Sequence, residues 1–263
     1  MPYIFEQAYN YIMSSVEKAL NILKILAKQP YEAGVTDLAE QIACGKSGTH
    51  KLLAALVQEG FVMQKPNRKY CLGISNYLIG KTYEEHVGIS RFCKPYLVKL
   101  RDMTNENASL GMWVNGNVTM ICKEESTELI RVVGNVAGPR PFNASSIGKT
   151  LGAYEDEDLI REKLMKEPLQ SFTPKTITSP SKLLEEFAKI REQGYAISDE
   201  EYNLNIIGVG APVRDANGKV WAAISLSAPK MRVDNAKFER MVFLVTETAK
   251  LMSNELKSDI LNK

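Results

Sequence analysis

Residues 35–73 read VTDLAEQIACGKSGTHKLLAALVQEGFVMQKPNRKYCLG, and their spacing predicts a helix, a tight turn, a second helix and a short hairpin. Thr36 is the expected N-cap of the first helix, with Asp37 and Glu40 in its first turn and Leu38, Ala39 and Ile42 as its buried stripe. Ala43, Cys44 and Gly45 form the corner, where a glycine tolerates a sharp backbone turn. The second helix runs from Lys46 to Glu59. Thr49, Leu52, Leu53, Leu56 and Val57 fall on its inner side, leaving Lys46, Ser47, His50, Lys51 and Ala54 outward. Gly60 ends it, a strand starts at Phe61, and the chain turns at Pro66-Asn67 and returns through Tyr70 to Leu72. This is the pattern of a winged helix-turn-helix, whose second helix fits a DNA major groove.

Charge supports that orientation. The chain carries 33 basic and 31 acidic residues, a net charge of +2. Between residues 41 and 81, Lys46, Lys51, Lys65, Arg68, Lys69 and Lys81 face the single acid Glu59, a local excess of +5. Local positive charge attracts phosphate whatever the net charge of the whole.

Around this stretch the periodicity gives an α+β chain. Ser14 and Glu17 form a capping box for a helix with Val16, Ala19, Leu20, Leu23, Leu26 and Ala27 on its apolar face. Residues 74–104 are helical, with a stripe from Ile89 through Phe92, Cys93, Tyr96, Leu97 and Leu100 to Met103, and a break expected near Gly88. Asn115-Gly116 marks a type I′ hairpin. Pro180 opens a helix that buries Leu183, Leu184, Phe187 and Ile190 and stops at Gly194. Strands follow near 195–198, 206–214 and 220–227, then a helix from about Asp234, giving an antiparallel sheet with helices on one face. The expected divisions are an arm at 1–13, the winged domain at 14–74, a connecting helix at 75–104 and a second domain at 105–263.

Two short stretches bear on a ligand. Along the last strand Val220, Ala222, Ile224 and Leu226 share one face, and Trp221, Ala223, Ser225 and Ser227 the other, which suits a pocket wall bearing hydroxyls. Gly148-Lys149-Thr150 resembles the end of a phosphate-binding loop, but Asn143 stands where that loop needs glycine and two prolines precede it. The better reading is a loop entering a helix, with N–H groups near Ser145 and Ser146 able to hold a carboxylate.

Enzymatic and metal chemistry find little support. Cys44, Cys71, Cys93 and Cys122 lack metal or dithiol spacing and read as reduced thiols of a cytoplasmic protein. His50 and His86 both precede the second domain, so a histidine-based triad inside it is excluded. Glu200 and Glu201, adjacent in sequence, read as solvated. No metal or cofactor is expected, nor a signal peptide or membrane span.

From Ser14 to about Lys257 the chain resembles the IclR-type transcriptional regulators. The resemblance is carried by SSVEKALNILKIL (14–26), the helix-turn-helix run, PFNASSIGKT (141–150), ITSPSKLLEEFAKIREQGYAISDEE (177–201) and GAPVRDANGKVWAAISLSAP (210–229), in the family's order. It implies a winged helix-turn-helix and a GAF-like effector-binding domain, with effector contacts at Leu129, Val132, Arg140, Ser146, Ile147, Ser198, Ile206, Gly208, Ser225 and Ser227, and Asp199 beside them. Three positions depart: Asn143 for a frequent His, Asn205 for Gly, and Gly208 for Cys. The expected protein is a homodimer or tetramer on a palindromic operator in double-stranded DNA, governed by a small organic acid paired with Arg140. Ser47 and His50 are expected at base edges, and Lys46, Lys51, Lys65, Arg68 and Lys69 at phosphates. The effector signal is expected to pass through 74–104. The alternatives are an enzyme with an N-terminal oligomerisation module and a sensor that does not bind DNA.

Overall fold

The computed structural model describes residues 14–133 and 139–259, so the expected arm at 1–13 lies outside the described residues. The chain divides after Gly88 into two compact units.

The first unit holds α1 (Ser15–Leu26), α2 (Val35–Gln41), α3 (Lys46–Gln58), the hairpin β1 (Val62–Gln64) and β2 (Tyr70–Leu72), and α4 (Ile74–Val87). Ser14 and Glu17 form the capping box of α1. The buried face of α1 is turned from the expected one. Ile22 and Leu26 point inward while Val16 and Leu20 are exposed, because the core formed by Leu38, Ile42, Leu53, Val62 and Tyr70 meets the Ile22 side. In α2 the N-cap is Gly34, not Thr36, and Asp37 accepts the Gly34 N–H at 3.2 Å. The corner's left-handed residue is Ala43, φ 47°, whereas Gly45 is extended and caps α3. Val57, expected inside, is exposed at the end of α3.

Gly88 closes α4 in the left-handed conformation at φ 68°, a geometry glycine adopts without a Cβ penalty. The break expected in the 74–104 helix is therefore complete. The following helix, α5 (Ile89–Thr104), buries Cys93, Leu97 and Leu100 in the core of the second unit, with Met103 left exposed.

That unit is built on a six-stranded antiparallel sheet. Its strands are β3 (Asn107–Val114), β4 (Asn117–Glu124), β5 (Pro139–Arg140), β6 (Ala196–Asp199), β7 (Ile206–Arg214) and β8 (Val220–Pro229), in the order β5-β4-β3-β8-β7-β6. Asn115 and Gly116 both have positive φ at the β3–β4 turn, as a type I′ hairpin needs. Helices cover both faces, not one. On one side α5 and α9 (Asn235–Asp259) pack on Leu110, Val209, Ala211, Ile224 and Leu226. On the other, α6 (Ser146–Tyr154) sets Ile147 and Leu151 against Val118 and Ala223. Outside α6 lie α7 (Glu157–Lys166) and α8 (Pro180–Gln193), which buries Leu183, Phe187 and Ile190 with Ala153 and Ile160. The alternation expected in β8 holds from Ala222 to Ser227 and fails at Trp221. A register shift pairs Val213 with Ala222 but Arg214 with Val220, so Trp221 turns to the α5 side and meets Phe92 edge-on.

Candidate functional site

In the first unit, Lys46, Ser47, His50 and Lys51 are all exposed on the outer side of α3. Thr49, on the inner side, is buried and donates its hydroxyl to the Gly45 carbonyl at 3.2 Å. The hairpin tip differs from the sequence reading in its electrostatics. Glu32 pairs with Lys65 at 2.8 Å and with Lys69 at 3.1 Å. Hydrogen bonds from Lys65 and then Lys69 lower the Glu32 carboxyl to about 2. Two of the three tip cations thus carry a counter-charge, and Arg68 has no ion-pair partner among the described residues. Glu32 arrives through the bridge between Ala33 and Tyr70, from before the basic 41–81 segment.

In the second unit, the sheet face beneath α6 is polar across four strands. The register aligns Lys123, Ser109, Ser225 and Gly210 in one row, and Asn107, Ser227, Gly208 and Ser198 in the next. The two glycines let α6 approach. A Cβ at Gly208 would lie 2.9 Å from the Ser146 hydroxyl, and one at Gly210 would lie 2.8 Å from the Ser146 carbonyl oxygen. The N-terminal turn of α6 therefore stands over the polar rows. Ser145 caps it, accepting the Gly148 N–H at 3.0 Å and donating its hydroxyl to the Pro141 carbonyl at 2.9 Å.

Between helix and sheet lies a cavity of about 170 Å³. Of the expected effector residues it takes in Val132, Arg140, Ser146, Ile147, Ser198, Ile206, Gly208, Ser225 and Ser227. Two stay outside: Leu129 is 96% exposed, and Asp199 pairs with Lys230 at 2.7 Å. Sequence reasoning missed Asn107, Ser109, Met120, Lys123, Tyr202 and Asn203 as wall residues. The polar alternation Asn107, Ser109 in β3 was a usable signal. Tyr202 and Asn203 sit in a loop whose path the sequence does not specify.

Its charged lining is basic, with Arg140 and Lys123 present and neither Asp nor Glu among the described lining residues. Arg140 donates to the Pro139 carbonyl at 3.1 Å, its second terminal nitrogen lies 3.8 Å from the Met120 sulfur, and the Tyr202 hydroxyl interacts with it. Burial draws the guanidinium pKa down, yet a guanidinium stays charged at neutral pH. Lys123, its side chain buried, donates to Glu125 at 2.9 Å and to the Val132 carbonyl at 3.2 Å.

The Gly148-Lys149-Thr150 run has a structural role. Lys149, 1% exposed, lies 2.7 Å from Glu201 and 3.0 Å from Glu186. Glu201, expected to be solvated, is half-buried, and that burial pushes its carboxyl above the usual range against the opposing pull of Lys149.

Residues 15–66 match the IclR helix-turn-helix domain, and residues 81–254 match the C-terminal domain of the bacterial transcriptional regulator IclR. The chain belongs to the IclR family of transcriptional regulators. It is 33% identical over 228 residues to the HTH-type transcriptional regulator XynR of Escherichia coli K12, a match covering 86% of this chain and 90% of that one. The solved IclR transcriptional regulator of Alicyclobacillus acidocaldarius shares its fold with a TM-score of 0.81 and 26% identity, over 94% of this chain and 100% of that one. An IclR homologue from Microbacterium hydrocarbonoxydans, solved with 4-hydroxybenzoate, has a TM-score of 0.80 at 21% identity over 94% and 100% of the two chains, a likeness of fold. Like other IclR-family regulators, this chain has a DNA-binding domain and an effector-binding domain. Among its described residues no helix is long and apolar enough to cross a membrane.

Proposed function

We propose that this IclR-family chain binds an inverted-repeat operator as a homodimer or tetramer and answers to a small organic acid held in the cavity under α6, within a GAF-like domain. The observation that carries the acid is the cavity's lining: Arg140, Lys123 and the N-terminal turn of α6, with no acidic side chain among the described lining residues. The carboxylate of 4-hydroxybenzoate, bound by the Microbacterium homologue, is in keeping with this. On the DNA side, Ser47 and His50 read base edges, while Lys46, Lys51, Lys65, Arg68 and Lys69 meet phosphates. One short helix covers few base pairs, so two copies on a symmetric site are the physical expectation.

Selection of genomic fragments by the purified protein tests this. Enrichment of an inverted repeat supports it, and an unselected fragment pool refutes it. The wing makes a further prediction on the selected duplex. Glu32→Gln removes the counter-charge from Lys65 and Lys69, so affinity is expected to rise for operator and unrelated DNA alike. The slope of log affinity against log salt should steepen by about one unit. Unchanged affinity and slope would remove Lys65 and Lys69 from the phosphate contacts.

A further inference from the structure

We infer that the cavity selects a polyhydroxylated carboxylic acid, a sugar acid of four to six carbons, over an apolar or aromatic acid. The inference rests on the acid reading above only for the charged end of the ligand. Its own basis is a set of serine hydroxyls. Ser109, Ser146 and Ser225 are 4%, 7% and 4% exposed and line the cavity, and their hydroxyls have no hydrogen-bond partner among the described residues. Of the other polar lining groups, Ser198 donates to the Ala144 carbonyl, and Asn107 bridges the Val132 carbonyl and the Ser126 N–H.

The three hydroxyls are spread over both walls. Ser109 and Ser225 stand opposite each other on neighbouring strands, and Ser146 faces the sheet from the helix. Gly208 and Gly210 are what bring Ser146 so close to the sheet. A ligand with hydroxyls along its chain gives each serine a partner, whereas a hydrocarbon or a ring covers them and leaves them unpaired. A site built to pair with hydroxyls rejects the deoxy analogue more strongly than an apolar site rejects an extra hydroxyl.

Calorimetry on the full chain with D-ribonate, pentanoate, benzoate and ribitol, and with D-gluconate and hexanoate for the longer length, separates the possibilities. The better of the two aldonates is expected to bind about tenfold or more tightly than its deoxy acid and than benzoate. Ser225→Ala and Ser109→Ala should each remove most of that preference. The same variants should bind pentanoate as tightly as the unaltered protein or more so, which shows that the site is still folded. Pentanoate or benzoate binding as tightly as ribonate, or no aldonate binding at all, would overturn the inference. Ribitol matching ribonate would support hydroxyl selection while refuting the acid reading, so the two fail separately.

Discussion

Lys149→Met is expected to lower the melting temperature by roughly 10 °C, from a loss of about 3–5 kcal/mol in a unit of this size. Among the described residues Lys149 is the only cation within ion-pair distance of Glu186 and Glu201. Its removal leaves two carboxylates facing each other with little water to screen them. Neutralising all three in Lys149→Met/Glu186→Gln/Glu201→Gln should recover much of the loss, since removing a buried charge cluster entire costs far less than removing one member. The sign of the pH effect follows. The Glu201 carboxyl, already pushed up by burial, loses the opposing pull of Lys149, so the folded state binds more protons, and the deficit of Lys149→Met should shrink as pH falls from 7 toward 5. A variant melting within about 2 °C of the unaltered protein would remove the energetic role given to the cluster. Binding should suffer too, because the Glu201 carboxyl and the Glu201 carbonyl, which accepts the Thr176 hydroxyl, anchor the loop carrying Tyr202 and Asn203 into the cavity wall.

Gly148→Ala is the second large effect. A Cβ on Gly148 would lie 2.1 Å from the Pro141 carbonyl oxygen and 2.7 Å from the Ser145 hydroxyl. That carbonyl is also the acceptor for the Ser145 N–H and hydroxyl. The obstacle is backbone, so α6 must move. The overpacking costs about 3 kcal/mol, offset by roughly 1 kcal/mol of better helix propensity. Acid binding should weaken with stability, because the displaced turn carries Ser145, Ser146 and Ile147. The same substitution at Gly80, in exposed α4 with nothing within 4 Å of its Cβ, is expected to stabilise by about 1 kcal/mol. Melting both variants checks the pair, and equal shifts would show that the close approach at Gly148 has no energetic weight.

Much of the architecture was legible because local rules and tertiary packing agree. Ser14 with Glu17, Pro180 and Gly194, and Asn115-Gly116 each specify a helix end or a turn by short-range chemistry, and each appears where the sequence places it. Departures arise where a distant contact decides. The face of α1 is set by what α2, α3 and β1 present to it, so Ile22 displaced Val16 from the core. Trp221 changed sides through a bulge, which shifts parity without a sequence marker. Glu201 looked solvated because its partner Lys149 is 52 residues away in the chain. The cavity was partly legible. The serine parity of β8 and the PFNASSIGKT turn could be read locally, but the coincidence of Ser109 with Ser225 needs the β3–β8 register, which joins strands more than a hundred residues apart. Leu129 and Asp199, taken from resemblance, fell outside because positional correspondence does not fix where a loop or strand end points.

The central claim, that an acid in the α6 cavity governs DNA binding, is tested most directly by titrating a complex of the protein and its selected duplex with D-ribonate, or with the tightest-binding acid of the panel. Fluorescence anisotropy would follow the duplex affinity. The unaltered protein should change its affinity as the acid saturates, while Arg140→Ala should bind the duplex as before and no longer respond. An undiminished response in Arg140→Ala, or an affinity indifferent to every acid that calorimetry shows to be bound, would contradict the account.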